Sequence, residues 1–280
     1  MKLPPSNPSL RACVVVPARD EEALIGACLK ALATQSGIAS EEDEVLLVLD
    51  RCTDGTEARA REIGAAHPSL KLQFLDGPGE GSGPARRVGM DQACARLLQV
   101  GRPEGLIACT DADTAVSADW LAAQLCAVSE GARAIGGRIE LADDGSLPEN
   151  VSRLHAERGR LRHERLLSDQ GHLGTAEHWQ FSGASLALTA EVYGEIGGLE
   201  PLTALEDEGL ERVLCEHGIP IQRLLSVRVT TSPRLQGRAT QGLSYDLAQI
   251  ALSIQGRETG YCERPATNLG KTSPAGSRRA

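Results

Sequence analysis

Lysine is almost missing from this chain. Only four occur in 280 residues (Lys2, Lys30, Lys71 and Lys271), so arginine carries most of the positive charge. Arginine's planar fork suits fixed, bidentate contacts to phosphate or carboxylate; GC-rich coding gives the same bias. No apolar run approaches the ~20 residues of a membrane span. The opening MKLPPSNPSLR is too polar for a signal peptide. The eight cysteines (Cys13, Cys28, Cys52, Cys94, Cys109, Cys126, Cys215 and Cys262) contain no C-x-x-C pair. Most sit in apolar or helical patterns, which suits buried free thiols in a reducing compartment. These absences exclude an integral membrane protein and predict a cytoplasmic one; peripheral contact with a membrane stays open. Net charge is -9, which argues against a nucleic-acid partner. There is no internal repeat.

Hydrophobic residues make up 41% and charged residues 24%, an ordinary balance for one large domain with or without a subdomain. Short apolar runs alternate with helical periodicity. ACVVV (12–16) reads as a buried strand ending at Pro17, DEVLLVLD (43–50) as a second, KLQFLD (71–76) as a third and GLIACTD (105–111) as a fourth. Helices are predicted over 21–35, 56–66, 84–99 and 117–129, the third with proline in its first turn. Four alternations predict an α/β class, a three-layer α/β/α domain on a mostly parallel mixed sheet. Ligands bind such sheets beyond the carboxyl ends of the strands. The polar stretches 17–22, 50–56, 77–87 and 111–115 should therefore share one rim.

The second half is less regular. Strands are predicted over 132–141, 181–189 and 221–231, and helices over 149–167, 202–218 and 245–255. The first of these helices carries five arginines from Arg153 to Arg165, a solvated face or a contact for an acidic or lipid-phosphate acceptor. From residue 257 onward the composition predicts a flexible tail.

LIACTDADT (106–114) ends an apolar run in two aspartates. On a regular strand, i and i+2 face the same way, which would bring Asp111 and Asp113 together. Neighbouring carboxylates repel unless a cation intervenes. A hard divalent ion, Mg2+ or Mn2+, would relieve them and bridge to a substrate phosphate. D-x-D alone is often just a turn. Here Asp20, Glu21 and Glu22 follow the first strand, Asp50 and Asp54 the second, and Gly77, Gly79, Gly81 and Gly83 the third, with Arg86 and Arg87 next. Neither G-x-x-x-x-G-K-[ST] nor a G-x-G-x-x-G after the first strand is present, so ATP-loop and dinucleotide-fold readings lose ground.

Six segments in order carry a resemblance: VVVPARDEE (14–22), VLDRCTDGT (48–56), GPARRVGMD (83–91), CTDADTAVSADWL (109–121), FSGASLALTAEVYGEIGGL (181–199) and LEDEGLERVLCEHG (205–218). Together they resemble a family 2 glycosyltransferase of the GT-A type. The resemblance implies a GT-A domain over 11–235, with a nucleotide-binding half (11–115) and an acceptor and catalytic half (116–235). A helical extension (236–256) and the tail (257–280) follow. It implies a nucleotide-diphosphate sugar as partner and Mg2+ or Mn2+ as cofactor. Pro17, Arg19, Glu21, Asp50, Asp54, Gly83, Arg86, Asp111, Gly183 and Ser185 would border nucleotide and donor sugar, with Asp50 facing the base. Asp111 and Asp113 would hold the metal. Glu206 and Asp207 match the family's catalytic pair, Asp207 as the base that takes a proton from the acceptor hydroxyl. Arg87 and Ser185 stand where asparagine is common, which changes local contacts.

Q-x-x-R-W is absent, which argues against processive synthesis. The segment 227–243 resembles small soluble members related to glucosyl-3-phosphoglycerate synthase, with Arg234 and Arg238 as clamps for a diphosphate or an anionic acceptor. The acceptor is a small molecule, a glycan or a lipid-linked hydroxyl, and a homodimer stays open. Three alternatives remain: a retaining synthase-like transferase, an inactive nucleotide-sugar binder and a sugar-phosphate nucleotidyltransferase.

Overall fold

The computed structural model describes residues 3–169, 173–237 and 241–259. The chain runs β1 (Ala12–Ala18), α1 (Ile25–Ala33), β2 (Asp43–Leu49), α2 (Thr56–Ala66), β3 (Leu72–Asp76), α3 (Ser82–Gln99), β4 (Leu106–Cys109), β5 (Thr114–Val116) and α4 (Trp120–Ser129). It continues through β6 (Ala134–Leu141), α5 (Glu149–Ser168), β7 (Leu186–Thr189), α6 (Ala190–Glu195), α7 (Glu206–Glu216), β8 (Ile221–Thr231) and α8 (Leu243–Thr259).

The eight strands form one sheet in the order β3-β2-β1-β4-β7-β6-β8-β5. β1 pairs in parallel with β2 and β4, β2 with β3, and β6 with β8. β7 runs antiparallel to β4 and β6, and β5 antiparallel to β8. The sheet is mixed and mostly parallel, and its four parallel strands on the β1 side aim their carboxyl ends at one rim.

Strand alternation builds two cores. Val14 and Val16 of β1 face α1, α2 and α4 through Ile25, Leu29, Ile63, Trp120 and Leu121. Cys13 and Val15 face α3, α6 and α7 through Met90, Leu97, Val192, Leu210 and Leu214. This is the three-layer, GT-A-like arrangement. α5 and α8 meet in a small satellite cluster around Val151, Leu247 and Ile250. No helix among the described residues is long and apolar enough to cross a membrane.

Several boundaries differ from the sequence expectation. β1 continues through Pro17 to Ala18. Its pairing with β4 stops at Val15, while pairing with β2 runs on to Ala18. Odd-numbered residues of β1 bond toward β4: the Leu106 amide donates to Arg11 and the Thr110 amide to Val15. The N–H that Pro17 lacks would have pointed past the end of β4, so no ladder bond is lost. β7 starts at Leu186 because the Ser185 amide donates to the Ser182 carbonyl, turning the chain over 182–185. α7 starts at Glu206 because Leu205 is left-handed, with φ 58°. The short β5 and α6 were not anticipated. α8 runs through residue 259, and 260–280 of the expected tail lie outside the described residues. Cys13, Cys28, Cys94 and Cys109 are buried as expected, but Cys126 and Cys215 are exposed.

Candidate active site

The rim is built from turns whose polar groups hold one another. After β1, Asp20 accepts the Thr53 amide at 2.6 Å and Glu22 accepts the Gly55 amide at 3.0 Å. In return Asp54 accepts the Glu22 amide at 3.0 Å. The first two strand ends are thus locked together. Asp54 also accepts from the Thr56 amide and hydroxyl, starting α2. Its carboxylate is spent on these turns, on the exposed side of the rim.

Asp50 is 1% exposed. Its two oxygens accept the backbone amides of Gly79 and Gly81, and the Arg19 guanidinium lies 3.9 Å away. Gly79 and Gly81 have φ of 81° and 114°, which a side chain would resist. The glycine loop after β3 therefore wraps the Asp50 carboxylate. Pro17 is buried at the end of β1. Gly89 lets α3 press on the sheet, since a Cβ there would lie 2.3 Å from Val15 Cγ1.

The two aspartates of D-x-D do not sit on a strand. β4 ends at Cys109, and the Thr114 amide donates to the Asp111 carbonyl at 3.1 Å. A turn, not strand alternation, brings the carboxylates together. Burial, then the charge of Asp111, push Asp113 up to about 6 against the pull of Arg234.

Arg86 joins segments far apart in sequence. It is 2% exposed. Nη2 donates to Asp111 Oδ1 at 2.8 Å, Nε to Glu206 Oε1 at 3.2 Å and Nη1 to the Gly183 carbonyl at 2.9 Å. These partners hold its positive charge well above the ordinary range, although burial alone would lower it. Gly183 is sandwiched: its amide donates to Asp207 Oδ2 at 3.2 Å, and a Cβ would lie 2.2 Å from Arg86 Nη2. Gly83, at the start of α3, admits no side chain because a Cβ would lie 1.9 Å from the Leu202 carbonyl oxygen. Arg87 reaches away from this network to the Leu199 carbonyl at 2.6 Å. Ser185 is 1% exposed, and its hydroxyl accepts the Trp120 indole N–H at 3.1 Å. It props the loop from beneath.

A second guanidinium, Arg234 on the chain leaving β8, grips Glu21 at 2.8 and 3.0 Å and Asp113 at 2.8 Å. Arg238 lies outside the described residues. Of the expected residues, Arg86 gathers Asp111, Gly183 and Glu206, with Asp207 on the Gly183 amide, and Arg234 gathers Glu21 and Asp113; the turn over 111–114 joins the two groups. Asp54 and Ser185 belong to supporting turns.

Leu205 was not singled out in the sequence. Among the described residues, Asp20, Arg51 and Leu205 are the non-glycine positions with positive φ (51°, 54° and 58°). All three flank this rim, where strained backbone concentrates at functional sites. No periodicity or composition signals such a residue.

Among the described residues no three His, Cys, Asp or Glu side chains converge as a metal-ligand group. Asp111 and Asp113 are hard oxygen donors, and the turn that the Thr114 amide closes on the Asp111 carbonyl carries both. That fits Mg2+ or Mn2+ bound by two carboxylates, with water and a diphosphate completing the shell.

Two solved structures share this fold. S. aureus TarS (residues 1–349, in complex with UDP) is 15% identical over 90% of this chain and 73% of its own, with a TM-score of 0.56. The mannosyltransferase PcManGT from Pyrobaculum calidifontis, in complex with GDP-Man and Mn2+, is 17% identical over 93% and 68%, with a TM-score of 0.58. Glucosyl-3-phosphoglycerate synthase from Mycobacterium tuberculosis is 18% identical over 94% and 82%, with a TM-score of 0.49. No curated protein matches the chain. The family model for "Glycosyltransferase like family 2" matches residues 8–242, and the chain belongs to that family.

Proposed function

We propose that the protein transfers a hexosyl group from a nucleotide-diphosphate sugar to an acceptor hydroxyl, with inversion, using Asp207 as general base. The Arg86 network carries this reading. One buried guanidinium ties Asp111 to Glu206 and to the Gly183 loop, which in turn holds Asp207. A donor lying across the rim would have its diphosphate at Asp111 and its sugar at the Gly183 loop. Asp207 then stands on the acceptor side.

A sugar hydroxyl is a poor nucleophile. A carboxylate in hydrogen-bond reach takes its proton as the C–O bond forms, worth about 10²–10⁴ in rate. The new bond forms at the anomeric carbon opposite the bond to the diphosphate, so the configuration inverts. When bound at Asp111 and Asp113, Mg2+ or Mn2+ supplies the charge that neutralises the departing diphosphate. Arg19 and the glycine loop that wraps Asp50 stand at the nucleotide end. Gly183 holds the Asp207 carboxylate in place through its amide.

Thermal unfolding with UDP-, GDP-, ADP- and TDP-sugars, each with Mn2+, Mg2+ or EDTA, tests the reading, because a ligand of the folded state raises stability. One nucleotide should stabilise the protein in a metal-dependent way, and turnover with that donor should release the nucleoside diphosphate. Release of pyrophosphate instead would mark nucleotidyl transfer. Binding without turnover across a broad acceptor panel would mark a binding protein.

A further inference from the structure

We propose that Arg234 is an internal counter-ion that competes with a divalent metal for Asp113 and is drawn off by the donor's diphosphate, so that metal and nucleotide bind cooperatively through this one side chain. The inference deepens the transferase reading and rests on it.

Arg234 joins two motifs far apart in sequence. It forms a fork with Glu21 at 2.8 and 3.0 Å and reaches Asp113 Oδ2 at 2.8 Å. The Glu21 and Asp113 side chains are 8% and 11% exposed. Carboxylates so shielded need a cation, and Arg234 provides it. The chain that carries it is tied to the same turn, since the Ser232 amide donates to the Asp113 carbonyl at 3.3 Å.

The two arginines of the rim differ in freedom. The Arg86 side chain is 3% exposed and fixed by three partners. The Arg234 side chain is 28% exposed, and its hydrogen bonds and ion pairs among the described residues are to side-chain carboxylates. Arg234 is therefore the cation that can change partners. A divalent ion on Asp113 would bring a second cation beside the guanidinium, and the two repel. Metal alone must displace Arg234 and leave it without its Asp113 contact. A diphosphate offers the guanidinium a bidentate replacement, so metal and nucleotide favour each other. Linkage makes the effect reciprocal.

The test is Mn2+ titration of the full chain by electron paramagnetic resonance, with and without UDP, GDP, ADP or TDP, for wild type, Arg234→Gln and Arg234→Lys. Without nucleotide, Arg234→Gln should bind Mn2+ at least about tenfold more tightly than wild type, a coupling within the usual range. Nucleotide should tighten Mn2+ binding less in the variant than in wild type. A merely structural or phosphate-clamping role would not raise affinity for Mn2+ alone. Equal or weaker Mn2+ binding by Arg234→Gln of wild-type circular dichroism overturns the proposal. If that variant does not fold, Arg234→Lys, which keeps the charge without the fork, should show a gain of about threefold, and no gain again overturns it. Wild type that binds none of UDP, GDP, ADP and TDP with Mn2+ removes the transferase reading and the coupling with it. Nucleotide binding with unchanged Mn2+ affinities removes the counter-ion role alone.

Discussion

Replacing Arg86 with leucine should be the most damaging single change at the rim, and its size follows from what it leaves behind. Arg86 has three partners, and Glu206 is 6% exposed. Leucine leaves that buried carboxylate without a cation and the Gly183 carbonyl without its donor. Breaking a buried ion pair from one side costs about 3–5 kcal/mol. For a chain of this size that lowers the melting temperature by about 5–10 °C. Urea unfolding measures the cost directly. The sign of the argument is tested by adding Glu206→Gln to Arg86→Leu. If the cost is the stranded charge, the double variant should recover about 1–3 kcal/mol relative to Arg86→Leu alone. Arg86→Lys should fall between wild type and Arg86→Leu, since it keeps charge but not the fork. A loss below about 1 kcal/mol in Arg86→Leu, or no recovery in the double variant, would refute the claim that this guanidinium holds the two halves of the site together.

Asp207→Asn should keep nucleotide binding by calorimetry while turnover falls about 10²–10⁴-fold; unchanged turnover removes the proposed base. His178 is buried, accepts the Gln180 amide at Nδ1 and contacts the Leu224 carbonyl through Nε2. Burial holds it near 4 rather than 6.5, so its contribution is present above pH 6.5 and is lost as pH falls toward 4. That loss is about 1–3 kcal/mol, and His178→Gln should flatten the stability profile in that window. Burial, with Glu44 and Glu42 beside it, pushes Asp43 up to about 6. Its protonated form favours folding below its unfolded value of 3.8, and that stability is lost as pH rises through 6. Asp43→Asn should therefore stabilise the protein by about 1–2 kcal/mol at pH 7 and have no effect at pH 3.5. Gly83→Ala drives a Cβ into the Leu202 carbonyl and should cost about 1–3 kcal/mol in urea unfolding. Gly209→Ala, on α7 with only Leu202 Cδ1 at 3.5 Å, should gain about 0.5–1 kcal/mol.

The first half of the fold was legible because its signals are local. Val14, Val15 and Val16 are buried on both faces of a central strand, and an apolar run says so directly. Residues 56–66 form a helix at the expected bounds, because polar breaks close both ends. Chain breaks without a local signal were not legible. β5 is three residues long and exists only because β8 pairs with it. α7 begins where Leu205 takes a left-handed φ that its side chain does not announce. Alternation at a strand end was expected to bring Asp111 and Asp113 together, and a turn does so instead.

The order of strands, helices and acidic turns by itself determined that polar residues from four distant segments share one rim, because parallel strands send their carboxyl ends the same way. What those residues do to each other was decided only in three dimensions. Arg86 and Glu206 are 120 residues apart, and Arg234 and Glu21 are 213 apart. Whether a guanidinium meets a carboxylate depends on how α3, α7 and the chain after β8 pack on the sheet. Motif spacing could propose Asp54 and Ser185, but it could not see that Asp54 accepts from Thr56 and Ser185 from Trp120. Hydrogen-bond partners are chosen by distance in the folded chain, and sequence separation does not encode it.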